Sequence, residues 1–182
     1  MEESSHKHLR NLSSKAEALY SLFPFESWHH RTKVELSSAR LANHQVVVSC
    51  SGGADSIFSL LLIHHYLNGS QHCIHVNHGV RGKNSDKDAS FVKEFCDKIN
   101  CESSILSLQA PDDSNEGFLR DKRMQIIGLE LERMRAKYLV QGHQKDDIAE
   151  SFLWRLSRGA SPSGLCSPKP VQKHGDTIFL RP

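Results

Sequence analysis

Three consecutive β-branched residues, Val46, Val47 and Val48, stand just before Ser51-Gly52-Gly53, and behind the glycines the chain from Asp55 to Leu67 is almost continuously apolar. A short valine run without polar alternation reads as a strand buried on both faces. The glycine pair permits a sharp backbone turn, and Asp55 and Ser56 suit the first turn of a helix. Strand, tight turn and helix in this order form the opening of a parallel sheet, because a helix must carry the chain back before the next strand begins.

The alternation continues. Cys73 to Val76, Ser104 to Leu108, Tyr138 to Val140 and Thr177 to Leu180 read as further strands. Helices are predicted over Ser85 to Ile99, opened by a capping-box-like Ser85-x-x-Asp88, over Glu116 to Ala136 and over Asp146 to Arg158. The expected fold is therefore α/β, a doubly wound, mostly parallel sheet with helices on both faces and right-handed crossovers. In the polar residues 1–44, Leu9, Leu12, Ala16, Leu19 and Leu22 recur at helical spacing and predict a helical lead-in to a domain over 45–182. Between Gly159 and Gly175 the prolines 162, 168 and 170 predict an exposed loop.

With 182 residues, 38% hydrophobic and 24% charged, the chain has the size and composition of one globular domain. A net charge of +2 excludes a polybasic tail, so an anionic partner has to be met by a local patch. The apolar stretch Ile57 to Ile63, interrupted by Ser59, is too short to span a bilayer, and the first ten residues hold no apolar run. A cytoplasmic protein without membrane association is expected. Five cysteines (Cys50, Cys73, Cys96, Cys101 and Cys166), an odd number with no C-x-x-C pair, point to reduced packing residues rather than a disulfide framework.

Ser51-Gly52-Gly53-Ala54-Asp55-Ser56 lies where α/β sheets place phosphate sites. The N–H groups of the glycines, Ala54 and Asp55 can converge on one anion beside the positive end of a helix, with the Ser51 and Ser56 hydroxyls completing the cradle. The competing reading is an ordinary turn with Asp55 as its cap. The loop has no lysine, and neither G-x-x-x-x-G-K-[ST] nor G-x-G-x-x-G occurs among the eleven glycines, which disfavours Walker-type NTPases and dinucleotide enzymes. Asn77, His78, Gly79 and Arg81 follow the second strand at the same sheet edge, with Arg81 suited to a phosphate or carboxylate, or else form a polar turn. His72, His75 and His78 do not make a metal set, because strand alternation sends His72 and His75 to opposite faces.

After the fourth strand, Gly142-His143-x-x-Asp146-Asp147 sets two carboxylates at the ligand edge, where they could hold Mg²⁺ or orient a nucleophile. They could equally cap the next helix, with Asp147 and Glu150 as a capping box. Arg120 and Arg123 share a helix face with Glu116, either to meet phosphate or as an acid-before-base surface pair. Arg155 and Arg158, three apart, form either an RNA-backbone patch or a solvated face.

The hexapeptide resembles the S-G-G-x-D-S signature of the PP-loop ATP pyrophosphatases, which bind the pyrophosphate of ATP and transfer AMP to an oxygen. Four further segments narrow the resemblance to the tRNA(Ile)-lysidine synthetases: His75-Val76-Asn77-His78-Gly79-Val80-Arg81-Gly82, Gly142 through Ser151, Arg155-x-x-Arg158-Gly159 and Leu180-Arg181-Pro182 stand in that family's order and spacing. The resemblance runs from about Gln45 to the end, with Met124 in place of an aromatic and Ser161 in place of a glycine. It implies a ligase that adenylates C2 of the wobble cytidine of tRNA(Ile) with a CAU anticodon and lets the ε-amine of free L-lysine displace AMP, giving lysidine. It implies ATP held by Ser51, Gly52, Gly53, Ala54, Asp55, Ser56, Asn77, His78, Arg81 and Gly142, and Mg²⁺ at Asp55 and Asp147. Catalysis would fall to Asp55, Asp147, His143 and Arg120, with Arg155 and Arg158 on the RNA and no stable protein partner.

Because that family continues beyond L-R-P into tRNA-gripping domains, this chain is expected to be a catalytic domain truncated at its C-terminus, binding nucleotide without efficient turnover. The alternatives are a PP-loop tRNA thiolase, which needs paired cysteines, an amide-forming relative such as NAD synthetase, and a non-catalytic nucleotide-binding module that would leave ATP unchanged.

Overall fold

The structure, a computed structural model, describes residues 17–77, 83–108, 115–142, 157–159 and 169–181. After the helical residues 17–22, four further α-helices and six strands carry the described chain: α1 His30–Leu41, β1 Val46–Ser49, α2 Ala54–Tyr66, β2 His72–Asn77, α3 Lys83–Lys98, β3 Glu102–Ser107, α4 Glu116–Arg133, β4 Tyr138–Gln141, β5 Val171–His174 and β6 Thr177–Leu180. The strands form one sheet in the order β3-β2-β1-β4-β6-β5, parallel throughout except for β5, which pairs antiparallel with β6.

Strand alternation explains the two cores. Val46 and Val48 point to one face, where they pack with Leu36 and Ala39 of α1, Leu60 and Ile63 of α2, and Val92 of α3. Val47 points the other way, into Ile74, Leu139 and the α4 residues Ile127 and Leu131. The valines of β1 are at most 1% exposed, so the central strand is apolar on both sides, as its sequence demands. Three of the four helices are followed by an asparagine at positive φ: Asn43 after α1, Asn68 after α2 and Asn100 after α3. Asparagine tolerates the left-handed conformation that closes a helix, and each is followed by the return bond of such a cap, as in Cys101 N–H to Cys96 O at 2.9 Å.

The structure differs from the sequence reading at three places. The exposed loop expected up to Gly175 gives way at Val171 to β5, which forms a hairpin with β6 around Gly175 and Asp176. Its sequence, Val-Gln-Lys-His, lies on a sheet edge, half-buried to exposed, and carries no apolar alternation. Helix α3 starts at Lys83, ahead of Ser85, whose hydroxyl goes to Asn77 Oδ1 and does not act as a cap. Helix α1, inside the segment read as a lead-in, is part of the core: Leu36 and Ala39 are fully buried, and Trp28 just before it packs in the same cluster.

His72 and His75 diverge as alternation requires. His72 Nε2 meets Ser104 Oγ at 2.9 Å, and His75 Nδ1 meets the Cys50 carbonyl at 2.9 Å. Cys50, Cys73, Cys96 and Cys101 are free thiols buried in the core, each touching the next in that order. No helix among the described residues is long and apolar enough to cross a membrane.

Candidate nucleotide-binding site

From β1 the chain builds outward to β2 and β3, then crosses to lay β4 on the other side of β1. Where strand order reverses in this way, loops leave the carboxyl ends of the two neighbouring strands in opposite directions and open a crevice between them. The loop after β1 and Gly142 after β4 flank that crevice.

The loop after β1 is built around Ser56. Its buried hydroxyl accepts from the Ser51 amide at 3.1 Å and donates to the Gly53 carbonyl at 2.8 Å, while Ser51 Oγ approaches it at 3.1 Å and Cys50 Sγ donates to it at 3.4 Å. Ser56 therefore holds the loop in shape rather than facing outward. Gly52 turns the chain at φ 92°, where a Cβ would be strained. Gly53 is the N-cap of α2 and has no side chain to cap it, while its own N–H donates to Ser51 Oγ at 3.3 Å. Ser51, Gly53 and Ala54 are exposed and Asp55 is half-buried in that turn. A glycine N-cap at the positive end of a 13-residue helix is local geometry that favours an anion.

Gly142, one residue past β4, is pressed against this loop. A Cβ there would lie 2.9 Å from Ser59 Oγ, 3.0 Å from the Asp55 carbonyl oxygen and 3.1 Å from Ser56 Cα. The two glycine-bearing segments, 90 residues apart in sequence, are thus in contact across the crevice.

The remaining predicted site residues fall in several places. The Asn77 amide donates to Asp86 Oδ1 at 2.9 Å and receives the Ser85 hydroxyl, tying the end of β2 to the first turn of α3. Arg120 is exposed on α4, and Arg158 is exposed just before Gly159. His78, Arg81, His143, Asp146, Asp147 and Arg155 lie outside the described residues. Among the described residues no group of three His, Cys, Asp or Glu side chains gathers to hold a metal.

Two residues at this edge had no role in the sequence reading. Arg181 follows β6, and its Nη2 donates to Gln141 Oε1, at the end of β4, at 3.2 Å. Burial, and after it the charge of Arg120, pull the Arg181 guanidinium below its ordinary pKa. Strand alternation marks both as sharing the α4 side of the sheet, but no local pattern shows that an arginine there is half-buried.

A mostly parallel sheet with a glycine-bearing strand-to-helix turn at its switch point is the architecture of the nucleotide-binding α/β domains. More narrowly, a PP-loop domain model matches residues 27–182, and the chain belongs to that ATP-binding family. The match begins ahead of α1, in keeping with that helix's place in the core. Among curated relatives, the tRNA(Ile)-lysidine synthase of Bacillus licheniformis is 32% identical over 145 residues, covering 75% of this chain and 30% of its own length. Those of Bacillus subtilis and Photorhabdus laumondii are 30% and 33% identical, with 75% and 76% of this chain and 31% and 32% of theirs covered. The chain thus spans about a third of the length of the curated relatives it matches. Among solved structures, the U34-tRNA thiolase NcsA from Methanococcus maripaludis superposes with a TM-score of 0.63 at 22% identity, covering 76% of this chain and 51% of that one, which shows the shared fold.

Proposed function

We propose that this chain is the adenylating domain of a tRNA(Ile)-lysidine synthetase, using ATP to activate C2 of the wobble cytidine and L-lysine to displace AMP. The observation that carries the reading is the contact of Gly142 with the first turns of α2, which brings the S-G-G-x-D-S loop and the start of the G-H-x-x-D-D segment to one crevice. The β- and γ-phosphates are to be received by Ser51 and the leading amides of α2, charge-assisted bonds of about 1.5 to 3 kcal/mol each. Asp55, with Asp147, is assigned to Mg²⁺, which when bound neutralises the charge on the phosphate oxygens. His143 is assigned to the reacting groups and Arg120 to a substrate anion, with His78, Arg81 and Asn77 on the nucleotide and Arg155 and Arg158 on the RNA backbone. The domain is taken as residues 45–182 with α1 packed beneath it, acting in the cytoplasm.

Similarity to lysidine synthases at 30 to 33% identity supports this reading over the thiolase one. Thiolation calls for cysteines at the reacting edge, whereas the four described cysteines are buried in the core. The test is incubation with Mg²⁺, α-labelled ATP and tRNA(Ile) bearing a CAU anticodon, following AMP with and without lysine beside Asp55→Ala. Slow lysine-dependent AMP release that the substitution abolishes is the expected result. Bound but unchanged ATP would favour a non-catalytic module.

A further inference from the structure

Arginine at the end of β6 is held unusually firmly for a residue with no assigned work. Its amide donates to the Pro170 carbonyl at 2.8 Å, and its carbonyl accepts from the fully buried Thr32 Oγ1 at 3.2 Å. Its guanidinium donates to two neutral acceptors, Lys169 O at 2.8 Å and Gln141 Oε1 at 3.2 Å, while Nε is buried with no partner. Gln141 is itself oriented, since its Nε2 sits 3.8 Å from Met124 Sδ and so turns its oxygen toward Arg181. One helical turn before Met124 on α4 stands Arg120, whose charge is felt at Arg181. No carboxylate among the described residues pairs with either arginine.

Among the described residues, a half-buried guanidinium with only neutral acceptors, within electrostatic reach of Arg120, lacks one component, an anion. The phosphate cradle does not supply it. Helix α2 and its cradle pack on the face of the sheet opposite α4, and β4 separates β6 from β1. Two strand spacings, about 10 Å, therefore lie between the two anion sites along the same carboxyl edge. A small molecule anchored at Arg181 can extend its other end into the crevice between β1 and β4, a span of the order of an extended lysine.

We propose that Arg181, oriented by Gln141 and assisted by Arg120, receives the α-carboxylate of the free amino acid that the reaction consumes. This deepens the proposed function and rests on it for the identity of the amino acid. A guanidinium fork matches a planar carboxylate in two parallel hydrogen bonds, and holding that end aims the ε-amine at the activated carbon. The carboxylate then decides which amines are accepted.

The test compares L-lysine with L-lysinamide and 1,5-diaminopentane, which keep the amine and lose the carboxylate, in wild type, Arg181→Gln and Arg181→Lys. Wild type is expected to favour lysine over both amines by about 10- to 100-fold in kcat/KM. Arg181→Gln is expected to collapse that ratio toward one, mostly through KM for lysine and with KM for ATP unchanged, and Arg181→Lys to restore part of it. A raised KM for ATP with lysine preference intact would assign the anion to a phosphate and overturn the proposal. An unchanged ratio in Arg181→Gln would make the arginine purely structural and overturn it as well.

Absence of lysine-dependent AMP release in wild type would count against the ligase reading itself. The carboxylate site is then read by ligand-observed NMR of lysine and lysinamide with the full chain and a non-hydrolysable ATP analogue. Lysine binding weakened about tenfold or more in Arg181→Gln supports the site, and equal binding in the two proteins overturns it. Arg120→Gln, on an exposed position, repeats each comparison if Arg181→Gln does not fold, with a smaller loss of the lysine preference expected and an unchanged preference counting against the proposal.

Discussion

Replacing Gly142 by alanine tests the central geometry with one methyl group. The added Cβ would sit 3.0 Å from the Asp55 carbonyl oxygen and 3.1 Å from Ser56 Cα, with Ser59 Oγ at 2.9 Å. Ordinary contacts of this kind lie near 3.5 to 4.0 Å, so one backbone must retreat by about 0.4 to 0.9 Å. Ser59 can rotate its hydroxyl, but the first turn of α2 and the end of β4 cannot separate without disturbing the cores on both sides. Overpacking of this type costs about 1 to 3 kcal/mol. For a chain of this length that corresponds to a loss of roughly 2 to 12 °C in Tm. Because the displaced atoms belong to the loop proposed to hold the phosphates, ATP affinity should also fall, by about tenfold for each 1.4 kcal/mol of misalignment. Thermal unfolding and ATP titration calorimetry read the two effects. The matched control is Gly128→Ala in α4, where a Cβ meets nothing within 4 Å. There the helix should gain about 0.5 to 1 kcal/mol with unchanged ATP binding. A Gly142→Ala protein with wild-type Tm and wild-type ATP affinity would refute the contact and the crevice built on it.

Ser56→Ala removes the hub of the phosphate loop, leaving the Ser51 amide and the Gly53 carbonyl without that partner; urea unfolding should show a loss of about 1 to 3 kcal/mol, and ATP should bind more weakly, whereas Ser51→Ala should affect binding more than stability. Thr32→Val deletes the donor that α1 offers to the Arg181 carbonyl while keeping the shape of the side chain, and should cost about 1 kcal/mol in the same assay. Glu130 is held down to about 2, first by its hydrogen bond from Arg133 and then by Ser104 Oγ at 2.8 Å. A depressed carboxylate stabilises the fold above its unfolded pKa, near 4.5, and loses that contribution as pH falls through its folded one. The stability gap between wild type and Glu130→Gln should therefore be constant from pH 7 to about 5 and shrink steadily below, and a gap independent of pH down to 3 would contradict the assignment.

The order of strands and helices was legible because β1 and β4 are unbroken apolar runs, Val46 to Val48 and Tyr138 to Val140, and the turns after α1, α2 and α3 each carry an asparagine; β2, with His75 inside it, and the turn closed by Arg135 after α4 carry weaker marks. What strand neighbours what was not legible: the closeness of Gly142 to Ser56 depends on β4 crossing back beside β1, and no residue near either records it. Strand β5 escaped because an edge strand need not alternate when one of its flanks meets solvent. Helix α1 fell within the segment read as a helical lead-in, but its place in the core was not legible, because its buried residues, Thr32, Leu36 and Ala39, make a stripe one residue wide in a helix that is otherwise polar. Ser85 was recognised as a helix-opening residue, but its hydroxyl serves Asn77 across the loop, a partner that local spacing does not reveal. The tight turn and helix start after β1 were readable because glycines, serines and a helix start are all local; the half-burial of Arg181 was not, because burial of a cation is a property of the whole edge.

The line of touching thiols beneath the phosphate loop has a practical consequence. Buried sulfhydryls react with an aromatic disulfide only when the surrounding structure opens, so the rate of their modification is a clock for opening events. Cys50 sits at the loop end of that line, bonded to Ser56, and Cys101 at the far end, behind the cap of α3. With Cys166 changed to serine, the four rates report separately on the nucleotide edge and on the distal core. A bound nucleotide would slow the first without touching the second if the edge opens on its own, and would slow all four together if the domain opens only as a unit.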